Sequence, residues 1–92
     1  MKIEDVVKKI NQFDGLIDVH VETAGLESVY LFKECECEYD EINGFFNIHT
    51  VSESAILNVF GIGNYDISDE SDDEFDQIVL NDGSRKLRLI FA

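Results

Sequence analysis

The sequence lacks proline, long apolar runs and all but a few basic residues, and each absence narrows the class of protein. No run approaches the roughly 18 apolar residues that a membrane-spanning helix needs. The first residues, Met-Lys-Ile-Glu-Asp, lack the basic and apolar stretches of a signal peptide, so we expect a cytoplasmic protein. Without proline, repeats or a linker, residues 1–92 are predicted to form a single domain.

Positive charge is the scarcest property of the chain. Seven Lys and Arg against 20 Asp and Glu give a net charge of −13, and Lys33 is the only basic residue between Asp14 and Asp82. Direct binding of nucleic acid is disfavoured, because nucleic acid is itself a dense line of negative charge. Such self-repulsion adds no stability to a fold. The charge indicates either solubility in a crowded cell or a surface that binds something basic.

The apolar residues predict a folded chain that begins with a helix. A hydrophobic fraction of 45% is typical of a folded protein and not of a disordered acidic tail. Residues 3–13 are predicted to form this helix, because four apolar residues recur there at the helical i, i+3, i+4, i+7 spacing: Ile3, Val6, Val7 and Ile10. We expect Asp14-Gly15 to end this helix, with Gly15 in the left-handed conformation.

Alternating patterns after the helix predict five or six strands. Residues 16–23 alternate strictly, a second strand is expected over 28–40, and Asn43-Gly44 predicts a hairpin into a third strand over 45–51. Further strands are expected over 77–80 and 85–91. The predicted fold is α+β: an N-terminal amphipathic helix packed on a five- to six-stranded, mainly antiparallel meander sheet or small barrel.

The apolar run Ala55 to Phe60 fits either a buried strand or a short helix. Its shortness, its Val and Ile residues and the Gly-Ile-Gly sequence that follows favour a strand. Residues 64–76 contain seven acids and no base, and we expect them to form an exposed loop.

Cys35 and Cys37 are expected to be reduced and free of metal. On a strand they would lie on one face about 6.6 Å apart, which is an awkward span for a disulfide. A zinc site would need to recruit His20 and His49, but Cys-x-Cys lacks the usual two-residue gap. Both histidines fall at strand positions that we expect to face solvent.

Motifs of known enzyme classes are missing from the sequence. There is no Gly-x-Ser-x-Gly, no phosphate-binding Gly-x-x-x-x-Gly-Lys-Ser/Thr and no His-Glu-x-x-His. Gly61-Ile-Gly63 lacks the third glycine of a dinucleotide loop, and we interpret it as a bend. The chain is therefore predicted to be non-enzymatic and to need no cofactor.

The acidic segment fails a test for a calcium loop. An EF-hand loop needs Gly at position 6, where a start at Asp66 gives Ser71 and a start at Asp72 gives Gln77. No metal site is therefore predicted.

Two groups of acids form the candidate partner-binding surface. On the predicted second strand, every second residue is acidic, which spaces the carboxylates about 6.6–6.8 Å apart: Glu34, Glu36, Glu38 and Asp40. The predicted loop adds a second group: Asp66, Asp69, Glu70, Asp72, Asp73, Glu74 and Asp76. These spacings are of the same order as those of nucleic-acid phosphates.

The sequence therefore favours an acidic protein inhibitor that occupies the basic nucleic-acid-binding surface of a partner such as a nuclease. Small acidic inhibitors of this kind are made by phages and other mobile elements against host nucleases, including CRISPR effectors. Two alternatives remain open. One is an antitoxin or immunity-type protein that covers a basic toxin, and the other is a structural acidic domain that forms homodimers or larger homo-oligomers by strand pairing.

Overall fold

The computed structural model describes residues 1–50 and 65–92, together with the backbone of residues 56–60. These residues form one helix, α1 (Ile3–Gln12), and eight strands: β1 (Leu16–Thr23), β2 (Leu26–Lys33), β3 (Cys35–Asp40), β4 (Phe45–Thr50), β5 (Ile56–Phe60), β6 (Asp66–Asp69), β7 (Asp76–Asn81) and β8 (Arg85–Phe91). The α+β class is confirmed, and β5 confirms the strand expected after Ala55. The bend expected at Gly61-Ile-Gly63 lies outside the described residues. The described helix is too short to span a membrane.

The strands form two open antiparallel sheets, the larger of five strands, so the expected antiparallel pairing is confirmed. The predicted closed barrel is wrong, and the described strands do not form one meander. The larger sheet has the order β2-β1-β8-β7-β6, and the smaller has the order β3-β4-β5. The last strand, β8, inserts between β1 and β7 and does not follow a simple meander. Its inward residues Leu87, Leu89 and Phe91 stand opposite Val21, Val19 and Ile17 of β1, which makes β1 and β8 the apolar centre of the larger sheet.

A kink at Glu34 divides the strand that was predicted over residues 28–40. Glu34 has a φ of +56°, a left-handed conformation that interrupts a strand. Lys33 and Glu34 are both exposed, so the inward positions shift from Phe32 to Cys35. Leu31, expected on the same face as the cysteines, is instead 63% exposed. The chain passes at this kink from the larger sheet to the smaller one.

One apolar core joins the helix and both sheets. Its buried members from the described residues are Val6, Ile10, Ile17, Val19, Phe32, Cys35, Cys37, Phe46, Ile48, Tyr65, Ile78, Leu80, Leu87, Leu89 and Phe91. Burial of one such side chain contributes about 1.5–3 kcal/mol, and a small domain has a net stability of only about 5–15 kcal/mol. The helix residues Val6 and Ile10 are therefore integral to the fold, whereas Val7 is only half-buried.

The helix ends differently from the sequence-based prediction. Phe13 takes an extended conformation (φ −81°, ψ 126°) directly after Gln12, and Gly15 does not have a positive φ. Glycine is required at position 15 for space: a Cβ there would lie 2.7 Å from the carbonyl oxygen of Ala92 and 2.8 Å from the ring of Phe13. The predicted left-handed end at Gly15 is wrong because close packing against the last residue determines this position.

The Asn11 side chain attaches α1 to β3. Its Nδ2 donates to the carbonyl oxygen of Cys37 at 3.0 Å, and its Oδ1 accepts from the Cys37 N–H at 2.7 Å. This pair of bonds satisfies both backbone groups of Cys37 as a neighbouring strand would. The helix thereby covers part of an otherwise open edge of the smaller sheet.

Replacement of Asn11 by alanine is expected to destabilise the fold by about 1–3 kcal/mol, because both backbone groups of Cys37 lose their partner. Chemical unfolding followed by circular dichroism measures this change. Gln12→Ala, one residue further along the same helix, is the matched control and should unfold like wild type. Equal stability of the Asn11→Ala variant and wild type would show that α1 is held by its apolar residues alone.

Candidate acidic binding surface

The acidic row expected on one strand is shorter in the structure. Glu36 and Glu38 project from the exposed face of β3, opposite His49 and Asn47 of β4. Glu34 is exposed but lies at the kink, outside the regular spacing of β3. The regular part of the row therefore consists of Glu36, Glu38 and Asp40.

Asp40 has a structural task within this row. Its Oδ1 accepts from the N–H groups of Ile42 (3.0 Å) and Asn43 (3.2 Å), and its Oδ2 accepts from Asn43 Nδ2 (2.6 Å). The bonds from Asn43 and Ile42 hold the pKa of the Asp40 carboxyl below its usual range. Asp40 orders the turn into β4, which leaves Glu36 and Glu38 as the solvent-facing acids of the strand.

The second acidic group lies on a hairpin, and the exposed loop expected over residues 64–76 is shorter in the structure. Residues 66–69 form β6, which leaves residues 70–75 as the exposed turn before β7. Strand β6 pairs with β7 from Asp66 opposite Asn81 to Asp69 opposite Ile78. Between them, the Glu70 N–H donates to the carbonyl oxygen of Gln77 at 2.9 Å, and the Asp72 N–H donates to that of Phe75 at 3.0 Å. The acid-rich composition obscured the short strand, because charged residues are rare in strands except at sheet edges.

Two carboxylates hold the turn of this hairpin. Asp69 Oδ1 accepts from the Ser71 N–H at 2.9 Å and the Ser71 hydroxyl at 2.6 Å. Asp72 Oδ1 accepts from the N–H groups of Glu74 (2.8 Å) and Phe75 (2.9 Å). These bonds lower the pKa of both carboxyls, because they stabilise the ionised form. Asp69 and Asp72 therefore stay charged while they order the backbone.

Two further acids of the hairpin are paired with cations. Glu70 Oε1 lies 3.6 Å from Arg88 Nη2, and Asp76 Oδ2 accepts from Lys9 Nζ at 2.9 Å. The remaining acids are exposed and form no ion pair or side-chain hydrogen bond with the described residues: Asp66, Asp73 and Glu74. These three carboxylates are free to meet a partner.

The helix lies between the two acidic groups. Lys9 reaches the hairpin through Asp76, while Lys8 and Glu38 line the same groove between α1 and β3. The two groups also belong to different sheets, since Glu36 and Glu38 lie on the smaller sheet and the hairpin on the larger. The molecule thus presents two separate acidic patches: the strand patch (Glu36, Glu38) and the hairpin patch (Asp66, Asp73, Glu74).

The two histidines, both expected to face solvent, differ in their burial. His49 is 6% exposed, with Nδ1 2.9 Å from Asn47 Oδ1 and Nε2 3.5 Å from Glu36 Oε2. His20 is half-buried, with Nδ1 3.1 Å from Glu27 Oε1. The expected surface position is therefore wrong for His49, whereas His20 keeps 31% of its side chain exposed beside the exposed Glu27.

The two cysteines are free thiols on the buried face of β3. His49 pairs with Glu36, so its side chain lies on the face of the smaller sheet opposite the face that carries the two thiols. Burial raises the pKa of both thiols, and the neighbouring Cys35 and Glu38 raise the pKa of Cys37 further. In the described part of the chain, no cluster of three His, Cys, Asp or Glu residues could hold a metal ion.

Comparison with known proteins finds no matching family model, no similar curated protein and no similar solved structure. The functional argument therefore depends on the charge and geometry of the chain itself.

Asp72→Ala is expected to destabilise the hairpin, and the effect should depend on pH. The pKa of Asp72 is lowered from 3.8 in the fold, so its contribution is present above that value and is lost as the pH falls through the folded pKa. The stability difference from wild type, measured by urea unfolding, should be large at neutral pH and shrink in acid. Asp73→Ala is the control and should match wild type. A difference that does not vary with pH would contradict the role of the ionised carboxylate.

The two thiols are expected to resist alkylation in the native protein, because a raised pKa lowers the fraction of reactive thiolate and burial blocks access of the reagent. Mass spectrometry after iodoacetamide treatment at neutral pH should find no adduct on the folded protein and two adducts in urea. Rapid labelling of either cysteine under native conditions would show that the core opens readily at β3.

Proposed function

We propose that this chain is a non-enzymatic acidic inhibitor that occupies the basic nucleic-acid-binding surface of a partner protein. The observation that carries the proposal is the fixed position of its solvent-facing carboxylates. Glu36 and Glu38 project from a strand, and Asp66, Asp73 and Glu74 from an ordered hairpin. None of these side chains accepts a backbone N–H in the described residues, and the Glu36 carboxylate makes one side-chain contact, 3.5 Å from His49 Nε2.

Charge and preorganisation support binding to a basic groove. A net charge of −13 accelerates encounter with a positively charged partner and excludes nucleic acid itself. Glu36 and Glu38 are two residues apart on β3, which separates their carboxylates by about 6.6–6.8 Å. A partner that spaces its cations to follow a phosphate backbone meets charges at a similar interval.

Because the hairpin is ordered, the hairpin patch is expected to contribute as much to binding as the strand patch. A strand holds its carboxylates in fixed positions, whereas a flexible loop loses entropy when a partner orders it. Asp69 and Asp72 already fix the turn in the free protein. That entropy cost is met by folding, so both patches are proposed to contact the partner.

The test begins with capture of binding proteins from host lysate at low salt and at high salt. The proposal requires a captured nucleic-acid-binding protein whose activity is inhibited at a one-to-one ratio and whose substrate competes with this chain. Binding should weaken steeply with salt, since the screening length is about 8 Å at physiological ionic strength. A partner that binds this chain and nucleic acid together would overturn the mimicry. Capture of a cognate basic toxin that binds no nucleic acid would favour the immunity-type alternative.

Charge reversal assigns the effect to the two patches. Glu36→Lys/Glu38→Lys and, separately, Asp73→Lys/Glu74→Lys should each weaken inhibition at least about tenfold while the fold is retained, because close charge pairs at an interface are strongly coupled. The hairpin variant spares Asp69 and Asp72, so a loss of binding cannot be attributed to a broken turn.

Asp14→Lys/Asp18→Lys is the matched control, since it changes the net charge equally outside both patches. This variant should inhibit nearly as well as wild type. An equal loss of inhibition in all three variants would mean that only the total charge matters. Unchanged inhibition in all three would show that the acidic residues serve solubility and not binding.

A further inference from the structure

The free edge of β2 is unlike the edges formed by β6 and β3. Strand β6 has only four residues, two of them Asp, and β3 carries Glu36 and Glu38 and is joined to α1 through Asn11. Short, charged or covered edges of this kind prevent strand pairing between molecules. Strand β2 has eight residues, and β1 is its only sheet neighbour among the described strands.

Exposed apolar side chains are concentrated on this same strand. Half of the large hydrophobic residues found exposed in the described part of the chain lie on β2: Leu26 (76%), Val29 (58%), Tyr30 (42%) and Leu31 (63%). An uncovered apolar edge of this length is expected to aggregate or to pair with another strand.

The turn between β1 and β2 determines which backbone groups face this edge. Ala24 and Gly25 both have positive φ, +50° and +80°, as in a two-residue type I′ hairpin. The flanking pair, Thr23 and Leu26, exchanges hydrogen bonds in such a hairpin, and alternate pairs do the same. The intervening residues of β2 therefore direct their N–H and C=O groups outward: Glu27, Val29, Leu31 and Lys33.

We propose that the β2 edge pairs antiparallel with β2 of a second copy, around a two-fold axis at Tyr30, to form a dimer with one continuous ten-stranded sheet. In this register Glu27 stands opposite Lys33 of the second copy, and Val29 stands opposite Leu31. Both are pairs of outward-bonding residues, as an antiparallel ladder requires. The symmetry repeats each pair, which gives two ion pairs and two apolar contacts.

Charge complementarity selects a second copy as the occupant. Lys33 is the only basic residue between Asp14 and Asp82, and it forms no ion pair with the described residues. Glu27 lies as far before Tyr30 as Lys33 lies after it, so the strand is complementary to itself at this register. Glu27 Oε1 is 3.1 Å from His20 Nδ1, and its other oxygen can accept from lysine.

The dependence on salt concentration distinguishes this dimer from the proposed binding of a basic partner. Two chains of −13 repel each other, and salt screens that repulsion, so the dimer should strengthen as salt rises. Binding of a basic partner should weaken over the same range. Analytical ultracentrifugation of the pure chain at about 50 mM and about 500 mM NaCl tests this, with screening lengths well above and below the 8 Å of physiological salt. A monomer at every salt concentration would overturn the dimer and leave the proposed function intact.

Charge exchange tests the register. Glu27→Lys and Lys33→Glu each place like charges opposite one another twice, and each should weaken the dimer about tenfold. The double variant Glu27→Lys/Lys33→Glu restores opposite charges and should recover most of the affinity. Failure of the double variant to recover would contradict this register.

Apolar replacement tests the surface itself. Leu31→Lys should abolish the dimer, whereas Ile42→Lys, which also replaces an exposed apolar residue (95% exposed) in the turn after β3, should have no effect. A dimer that persists in Leu31→Lys would show that another surface is responsible.

A cysteine cross-link locates the axis independently of affinity. Tyr30 meets itself at a non-hydrogen-bonded position, where the Cα atoms lie about 4.5 Å apart, within the range of a disulfide. Tyr30→Cys should cross-link on oxidation. Val29→Cys, which would be a diagonal neighbour of its symmetry mate at about 7–8 Å, should not cross-link, and neither should wild type with its buried thiols. Cross-linking through Val29→Cys and not Tyr30→Cys would move the axis and overturn the register.

Discussion

The left-handed conformation of Glu34 is the constraint on which the arrangement of the two sheets depends. Without it, β2 and β3 would continue as one long strand, with Leu31 and the cysteines on the same face. The interruption moves Phe32 and Cys35 inward together and directs the chain into a second sheet. A non-glycine residue in this region costs about 1–3 kcal/mol, which the burial of the shared core more than offsets. The separation of the two acidic patches follows from this single residue.

Local patterns in the sequence predicted the helix and the individual strands better than the order of the strands in the sheets. The helix spacing of Val6 and Ile10 and the alternation of Ile17 and Val19 depend on near neighbours, and the structure agrees with both. The insertion of β8 beside β1 depends on pairing across more than 60 residues, for which periodicity holds no information. The kink at Glu34 left no trace either, because strict alternation of Glu and Cys resembles an uninterrupted strand.

The candidate site shows the same limit. Exposure of Glu36, Glu38 and Asp73 could be predicted from charge alone. The tasks of Asp40, Asp69 and Asp72 could not, because a carboxylate that accepts N–H groups from its own turn is indistinguishable in composition from one that faces solvent. An acidic sequence therefore overstates the number of free carboxylates. In this chain several acids stabilise the backbone that positions the others.

The same acidity bears on how far self-association can proceed. A dimer through β2 uses the same edge of both copies, so the contact closes and does not propagate from that edge. The opposite edge of the enlarged sheet is β6, where Asp66 and Asp69 would meet like charges on any further copy. Mutual repulsion of two chains of −13 also opposes unspecific apolar contact at low salt. An exposed apolar strand is tolerable here because the opposite edge of the same sheet is charged. Under this arrangement the dimer displays both acidic patches twice, related by the two-fold axis, which suits a partner that is itself symmetric or that has a long basic groove.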